Sequence, residues 1–196
     1  MSRIKPMLKP SDYPEGVDDA TRAAAKALFD HMFPGVENPE IPGKSAAFGT
    51  VANDPKLALL LVKLSDYVVR EMPFTSTRRD LQQLMVQALN WKLGCDFSFQ
   101  SHIAPAAAAG ISAELQTQIP FWRTSNAFND EQRLVIEYTV AVVDGTVPDE
   151  LYRRVAAHFD ERDTLALTVG VAWWSFWAMI INATRTEFDF GFRKDA

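Results

Sequence analysis

Apolar positions recur along this chain at helical spacing, and strict alternation between regularly placed turn signals is missing, so the pattern predicts an all-α protein of about eight helices. The first, DDATRAAAKALFDHMF, keeps Ala23, Ala24, Ala27, Leu28 and Met32 on one stripe, with Asp18 or Asp19 as its cap and Pro34-Gly35 as its stop. From Asn53 the stretch NDPKLALLLVKLSDYVVREM has an N-cap candidate, a proline in the first turn and a sustained apolar face. A third helix is expected over about residues 78 to 92, capped by Thr75, Ser76 or Thr77. Its stripe is Leu81, Leu84, Met85, Ala88 and Leu89, and Gly94 closes it.

Cys95 then opens a helix that reaches roughly Ala109, with a kink or an early end at Pro105. Ser112 starts the short SAELQTQI, where Leu115 stands in place of the acid or amide of a full capping box. PFWRTSNAF reads as a linker. Asn129 or Asp130 caps DEQRLVIEYTVAVVD, which Gly145 ends, and Pro148-Asp149 begin DELYRRVAAHF. The last helix, about residues 161 to 187, is apolar on nearly every face in its middle and is expected to be central and buried. Two segments lack a pattern: residues 1 to 17, rich in proline and expected to lie as an arm on the body or on another subunit, and GVENPEIPGKSAAFGT, expected to be a loop. The tail FDFGFRKDA carries three phenylalanines that would be costly to expose, so docking is expected there too.

Composition narrows the class. With 196 residues, of which 47% are hydrophobic and 23% charged, the chain suits one globular domain. A net charge of −5 provides no basic footprint, so nucleic acid is not an expected partner. The N-terminus has no continuous apolar segment, and the run VGVAWWSFWAMII falls short of the ~20 residues that cross a bilayer. The expectation is a soluble, cytoplasmic protein without a membrane partner. One cysteine excludes an internal disulfide.

Candidate chemistry concentrates in residues 78 to 110. Cys95, Ser98 and His102 stand at i, i+3 and i+7, one face of a helix. A cysteine in a first turn is favoured as thiolate by the helix dipole, while a buried lone cysteine behaves as a small hydrophobe; spacing leaves both readings open. His102 has the residue type for proton transfer near neutral pH, and equally for a hydrogen-bonded core position. His31 and His158 read as surface or structural residues. No metal site is expected, because Cys95 and His102 lack neighbouring ligands at zinc spacing. A phosphate-cradling loop, a Rossmann fingerprint and a nucleophile elbow are all missing, so no cofactor is expected. Trp173, Trp174, Phe176 and Trp177 either wall a pocket for a planar substrate or fill a core.

The order apolar helix, Gly94-Cys95, Phe97-Ser98-Phe99, His102 and Ala-rich turns to Gly110-Ile111-Ser112 resembles the carboxymuconolactone decarboxylase and alkylhydroperoxidase D superfamily. The later DEQRLVIEYTVAVVDGTVPDELYRRV and VGVAWW with NATRTEF resemble that family's remaining helices. The resemblance implies a helical domain over residues 53–188, after an N-terminal arm, helix and loop (1–52) and before a tail (189–196). It also implies a homo-oligomer, trimer or hexamer ahead of dimer, with the pocket near subunit contacts. Peroxidase members carry Glu followed by Cys-x-x-Cys-x-x-x-His, which falls here on Gln83, Cys95, Ser98 and His102. Ser98 forms no disulfide with Cys95, and Gln83 exchanges no proton as a carboxylate would.

Those changes favour a cofactor-independent lyase of the decarboxylase type, acting on a small unsaturated or aromatic-derived organic acid. His102 would be general acid or base, Ser98 and Gln83 its hydrogen-bond partners and Cys95 a neighbour. Arg123, Trp174 and Phe99 are the candidate substrate-binding residues, Arg123 because guanidinium suits a carboxylate. A single-cysteine thiol peroxidase and a non-catalytic small-molecule-binding oligomer are the alternatives.

Overall fold

The computed structural model describes residues 2–191 and contains, among them, nine α-helices and no strand. They are α1 (Asp19–Met32), α2 (Ala46–Val51), α3 (Pro55–Arg70), α4 (Arg79–Leu93), α5 (Asp96–Ala108), α6 (Ala113–Thr117), α7 (Asp130–Val143), α8 (Asp149–His158) and α9 (Glu161–Thr184). By contact the chain divides into two compact units, residues 1–67 with 180–196, and residues 68–179.

In the first unit Leu28, Phe29, Ile41, Ala52, Ala58 and Val62 form the core. Asp18 caps α1 by accepting from the Thr21 N–H at 2.7 Å. The arm is held by its backbone: Met7 N donates to Gly49 O at 2.8 Å and Arg3 N to Thr184 O at 2.8 Å. Part of the stretch expected to be a loop is instead α2, whose Ala46, Ala47, Gly49 and Thr50 are buried. Its local propensity is poor, and packing of small residues supplies the order, as short helices generally require. At Gly49 a Cβ would lie 2.7 Å from Leu8 Cδ2, 3.1 Å from Pro6 Cβ and 3.3 Å from Met7 O, so a larger residue there would have to displace the arm. The cap of α3 is Asp54, accepting from Leu57 N at 3.0 Å, rather than Asn53, whose amide donates to Lys5 O and Thr50 O. In the tail, Phe188 and Phe190 meet edge to face at 4.9 Å, while Phe192 lies outside the described residues.

In the second unit α4 is the axis. Every residue from Leu81 through Asn90 is buried. Its Leu84 and Ala88 join Ala106 of α5, Ile111, Ile119, Trp122, Phe128, and Ile136 and Val140 of α7 in one core. Thr75 and Ser76 do not cap α4. Their hydroxyls donate backwards, Thr75 to Val68 O and Met72 O and Ser76 to Met72 O, which ties the preceding turn together. Phe74 in that turn adopts φ 61° and is fully buried, its ring edge-on to Phe159 at 5.5 Å. Burial of the ring compensates a backbone conformation that costs about 1 kcal/mol. Arg78 closes the start of α4 with a two-pronged ion pair to Glu131 (2.8 and 2.6 Å), and His158 adds a third bond to the same carboxylate at 2.9 Å. Gly94, at φ 61°, ends α4, and Cys95 N reaches back to Asn90 O at 2.9 Å. α5 runs through Pro105 to Ala108 without an early end.

α9 is not buried on every side. Leu165 (64% exposed), Val169, Ala172, Phe176 and Met179 (62%) form an outward stripe at alternating steps of four and three residues. Residues 164 to 184 carry no charge. By length and composition α9 could cross a bilayer, yet 56% of its most apolar window is buried inside the protein, as a core helix requires. On α3, Leu57, Leu60, Leu64 and Tyr67 form a second exposed stripe at heptad spacing.

Candidate functional site

Polar side chains in the middle of a buried helix cost free energy unless they find partners. α4 has four such amides, Gln82, Gln83, Gln87 and Asn90, none more than 3% exposed. Gln83 Nε2 donates to Gln82 Oε1 at 3.0 Å, which turns Gln83 Oε1 towards α5. There it meets His102 Nδ1 at 2.9 Å. A carboxamide oxygen only accepts, so Nδ1 carries the proton and the Nε2 lone pair is free. The Trp174 ring of α9 stands edge to face with the imidazole, centroids 6.4 Å apart.

His102 is closely surrounded by protein although part of its edge stays open. Burial first, and the Arg79 guanidinium second, push its pKa down to about 4. At neutral pH it is a neutral imidazole of fixed tautomer, the form in which histidine accepts a proton.

A second amide pair lies further along the same helix. Gln116 Nε2 donates to Ile103 O and Ile111 O, and its Oε1 accepts from Gln87 Nε2 at 2.7 Å. Arg79, Gln83, Gln87 and Asn90 thus mark one polar stripe at helical steps, from the exposed start of α4 inwards.

Comparison with known proteins places this architecture. No family model matches the chain. In sequence it is 24% identical over 118 residues to the uncharacterized YdfG of Bacillus subtilis, covering 59% of this chain and 78% of that protein. It is 37% identical over 76 residues to the uncharacterized YnjA of Escherichia coli, where the match covers 38% of this chain and only 42% of YnjA. Among solved structures it superposes on a candidate antioxidant-defence protein AhpD, of unknown function, from Agrobacterium tumefaciens. The TM-score is 0.62 at 20% identity, covering 70% of this chain and 93% of that one. It also superposes on the debrominase Bmp8 bound to 2,3,4-tribromopyrrole, with a TM-score of 0.67 at 13% identity over 95% and 93% of the two chains. The chain has the alkylhydroperoxidase D-like fold.

Within this fold Cys95 stands at the N-cap of α5 and is fully buried. Burial pushes its thiol pKa up to about 11, and Asp96 adds to the rise, against the lowering influence of the Ser98 N–H. The helix dipole expected to favour thiolate is therefore outweighed by desolvation. Ser98 is buried one turn before His102, and its carbonyl accepts from Ser101 Oγ at 2.9 Å.

The structure brings His102, Gln83 and Trp174 together. Phe99 is half-buried on the same helix as His102. Arg123 is exposed, with its guanidinium 4.4 Å over the Trp122 ring, and among the described residues no hydrogen bond or ion pair joins it to His102, Gln83, Cys95 or Ser98. Sequence reading named Gln83 but missed Arg79 and the other polar residues of that stripe, Gln87 and Asn90. Their signal was available as polar residues at steps of four and three inside an otherwise apolar helix. An open depression along α6, lined by Ser112, Glu114, Leu115, Thr117 and Gln118, contains none of these residues.

Proposed function

We propose that the protein is a cofactor-independent enzyme of lyase type, acting on a small organic acid with an unsaturated or aromatic frame, and that His102 is its general base. The observation that carries this reading is the bond from His102 Nδ1–H to Gln83 Oε1, which leaves Nε2 as the only basic atom of a neutral ring. In the reaction, Nε2 takes a proton from a substrate C–H or O–H. The imidazolium formed returns it to the carbon from which CO2 or another group has departed. Trp174 lends the site an aromatic wall. An enzyme with the same fold, the debrominase Bmp8, takes a small aromatic ring.

Single-cysteine peroxide reduction is less well supported, because a thiol that is fully buried with a pKa near 11 has little thiolate to offer peroxide. The test of the base assignment is the pH dependence of kcat/KM on a substrate found by screening aromatic and unsaturated acids. A base of pKa about 4 predicts a rate that rises through that value and stays level to neutrality and above. A rate that falls on the alkaline side of pH 6 to 7 would instead require a histidine that starts as the acid, and the assignment would be lost.

The reading includes self-association through the outward stripe of α9. Its occupant is the same stripe of a second copy, since Leu165, Val169, Ala172, Phe176 and Met179 repeat at the four-and-three spacing with which one helix packs on another, and the face carries no charge to oppose its own image. Met179→Glu, at a position 62% exposed in one copy, is expected to move the sedimentation coefficient to that of a monomer while helicity is retained. A wild-type monomer, or an oligomer indifferent to Met179→Glu, refutes this interface.

A further inference from the structure

We infer that Arg79 is the anion anchor of the His102 site, holding a carboxylate that remains on the substrate while the neighbouring carbon reacts. The inference rests on the His102 reading above and names the substrate class that site would take: an acid with an anionic group separate from the one that departs. A guanidinium that gripped the departing carboxylate itself would stabilise the reactant more than the transition state, which slows loss of CO2.

The geometry is that of one helix face. Arg79 lies one turn before Gln83 on α4, so their Cβ atoms are about 6 Å apart, and Gln83 is bonded to the imidazole. The guanidinium is positioned in advance. Its Nη1 donates to Val69 O at 2.9 Å and to Thr75 O at 3.5 Å, backbone groups of the turn that precedes the helix. Those bonds occupy one nitrogen and leave the Nε and Nη2 edge for a planar, two-oxygen ligand.

Its charge is also uncompensated. Next to it, Arg78 is neutralised by Glu131 and Asp80, whereas among the described residues no carboxylate is bonded to Arg79. Arg79 is exposed, while Gln83 and Gln87 behind it are buried, which places the cation at the open end of the polar stripe. The imidazole feels that charge, since Arg79 is the second cause of its lowered pKa after burial.

Benzoate and benzamide, equal in shape and different in charge, test the assignment when titrated into the protein at low ionic strength, with the His102 ring resonances followed by NMR. Benzoate is expected to shift those resonances and benzamide to bind about tenfold or more weaker. Arg79→Gln should weaken benzoate by about ten- to a hundredfold, the range for losing a charge-assisted hydrogen-bonded pair, and Arg79→Lys by less. Arg79→Gln should also raise the His102 pKa in the free protein while thermal unfolding stays cooperative at the parent's temperature, which separates this rise from the one that unfolding would cause. His102→Gln should keep benzoate affinity, followed by tryptophan fluorescence, so failure of the base assignment leaves this result standing. Equal binding of the two probes, no benzoate-dependent shift at His102, or an unchanged His102 titration in Arg79→Gln would each overturn the anchor.

Discussion

Replacing His102 by Gln is expected to lower kcat by about 10²- to 10⁴-fold, the usual contribution of a positioned acid or base, with KM changed far less. Glutamine keeps an amide able to face Gln83 but has no basic atom in the position of Nε2. The surrounding α4 and α5 core, built on Leu84, Ala88 and Ala106, does not depend on the imidazole, so the variant should unfold cooperatively as the parent does. The measurement is single-turnover kinetics on the substrate found by screening, paired with thermal unfolding. Turnover within tenfold of the parent would remove His102 from the chemistry and leave the site as a binding pocket.

Gln83→Glu should lift the His102 pKa from about 4 by roughly 1 to 3 units, because an amide that only orients the ring becomes a carboxylate that stabilises the imidazolium. Gln82 can turn its amide to donate to the new carboxylate, so the variant creates no forced clash of acceptors. The same substitution changes acid stability, with a definite sign. In the unfolded chain His102 titrates near its ordinary 6.5, in the folded protein near 4. Its folded pKa is depressed, so stability is intact above about pH 6.5 and is lost as pH falls from there through 4, when only the unfolded chain takes up the proton. The loss amounts to at most about 3 kcal/mol. Glu131, held down to about 2 by Arg78, adds a second loss that begins only below its ordinary 4.5. In Gln83→Glu the first of these losses should shrink or vanish, and the second should remain. NMR titration of the ring and denaturant unfolding at pH 7, 5 and 4 check both. A His102 pKa still near 4 in the variant would mean that position 83 does not govern the imidazole.

Much of the fold was legible in residue order. α1, α7 and α8 begin and end close to where Asp18, Asn129, Gly145 and Pro148 place them, because caps and left-handed glycines act within a few residues of themselves. α2 was not legible, since Ala46 to Val51 has weak propensity and is held by burial. Thr75 looked like a cap and is a buried turn lock, a choice made by the carbonyls of Val68 and Met72.

The site divides in the same way. Sequence by itself put Cys95, Ser98 and His102 at the spacing of one helical face and ruled out a dithiol within the chain, and the resemblance implied Gln83 as the residue to set against His102. Only the tertiary structure decided what those groups are chemically. Packing sealed Cys95 and raised its pKa, and it set the Gln82 and Gln83 amides so that one nitrogen of His102 holds a proton and the other is left basic. It also tied Arg79 Nη1 to the Val69 carbonyl, with no carboxylate bonded to that guanidinium among the described residues, and set Arg123 over a tryptophan ring. The physical reason is range: helix starts, stops and faces are written in neighbouring residues, whereas desolvation, tautomer and ion pairing depend on groups that meet only when distant helices pack.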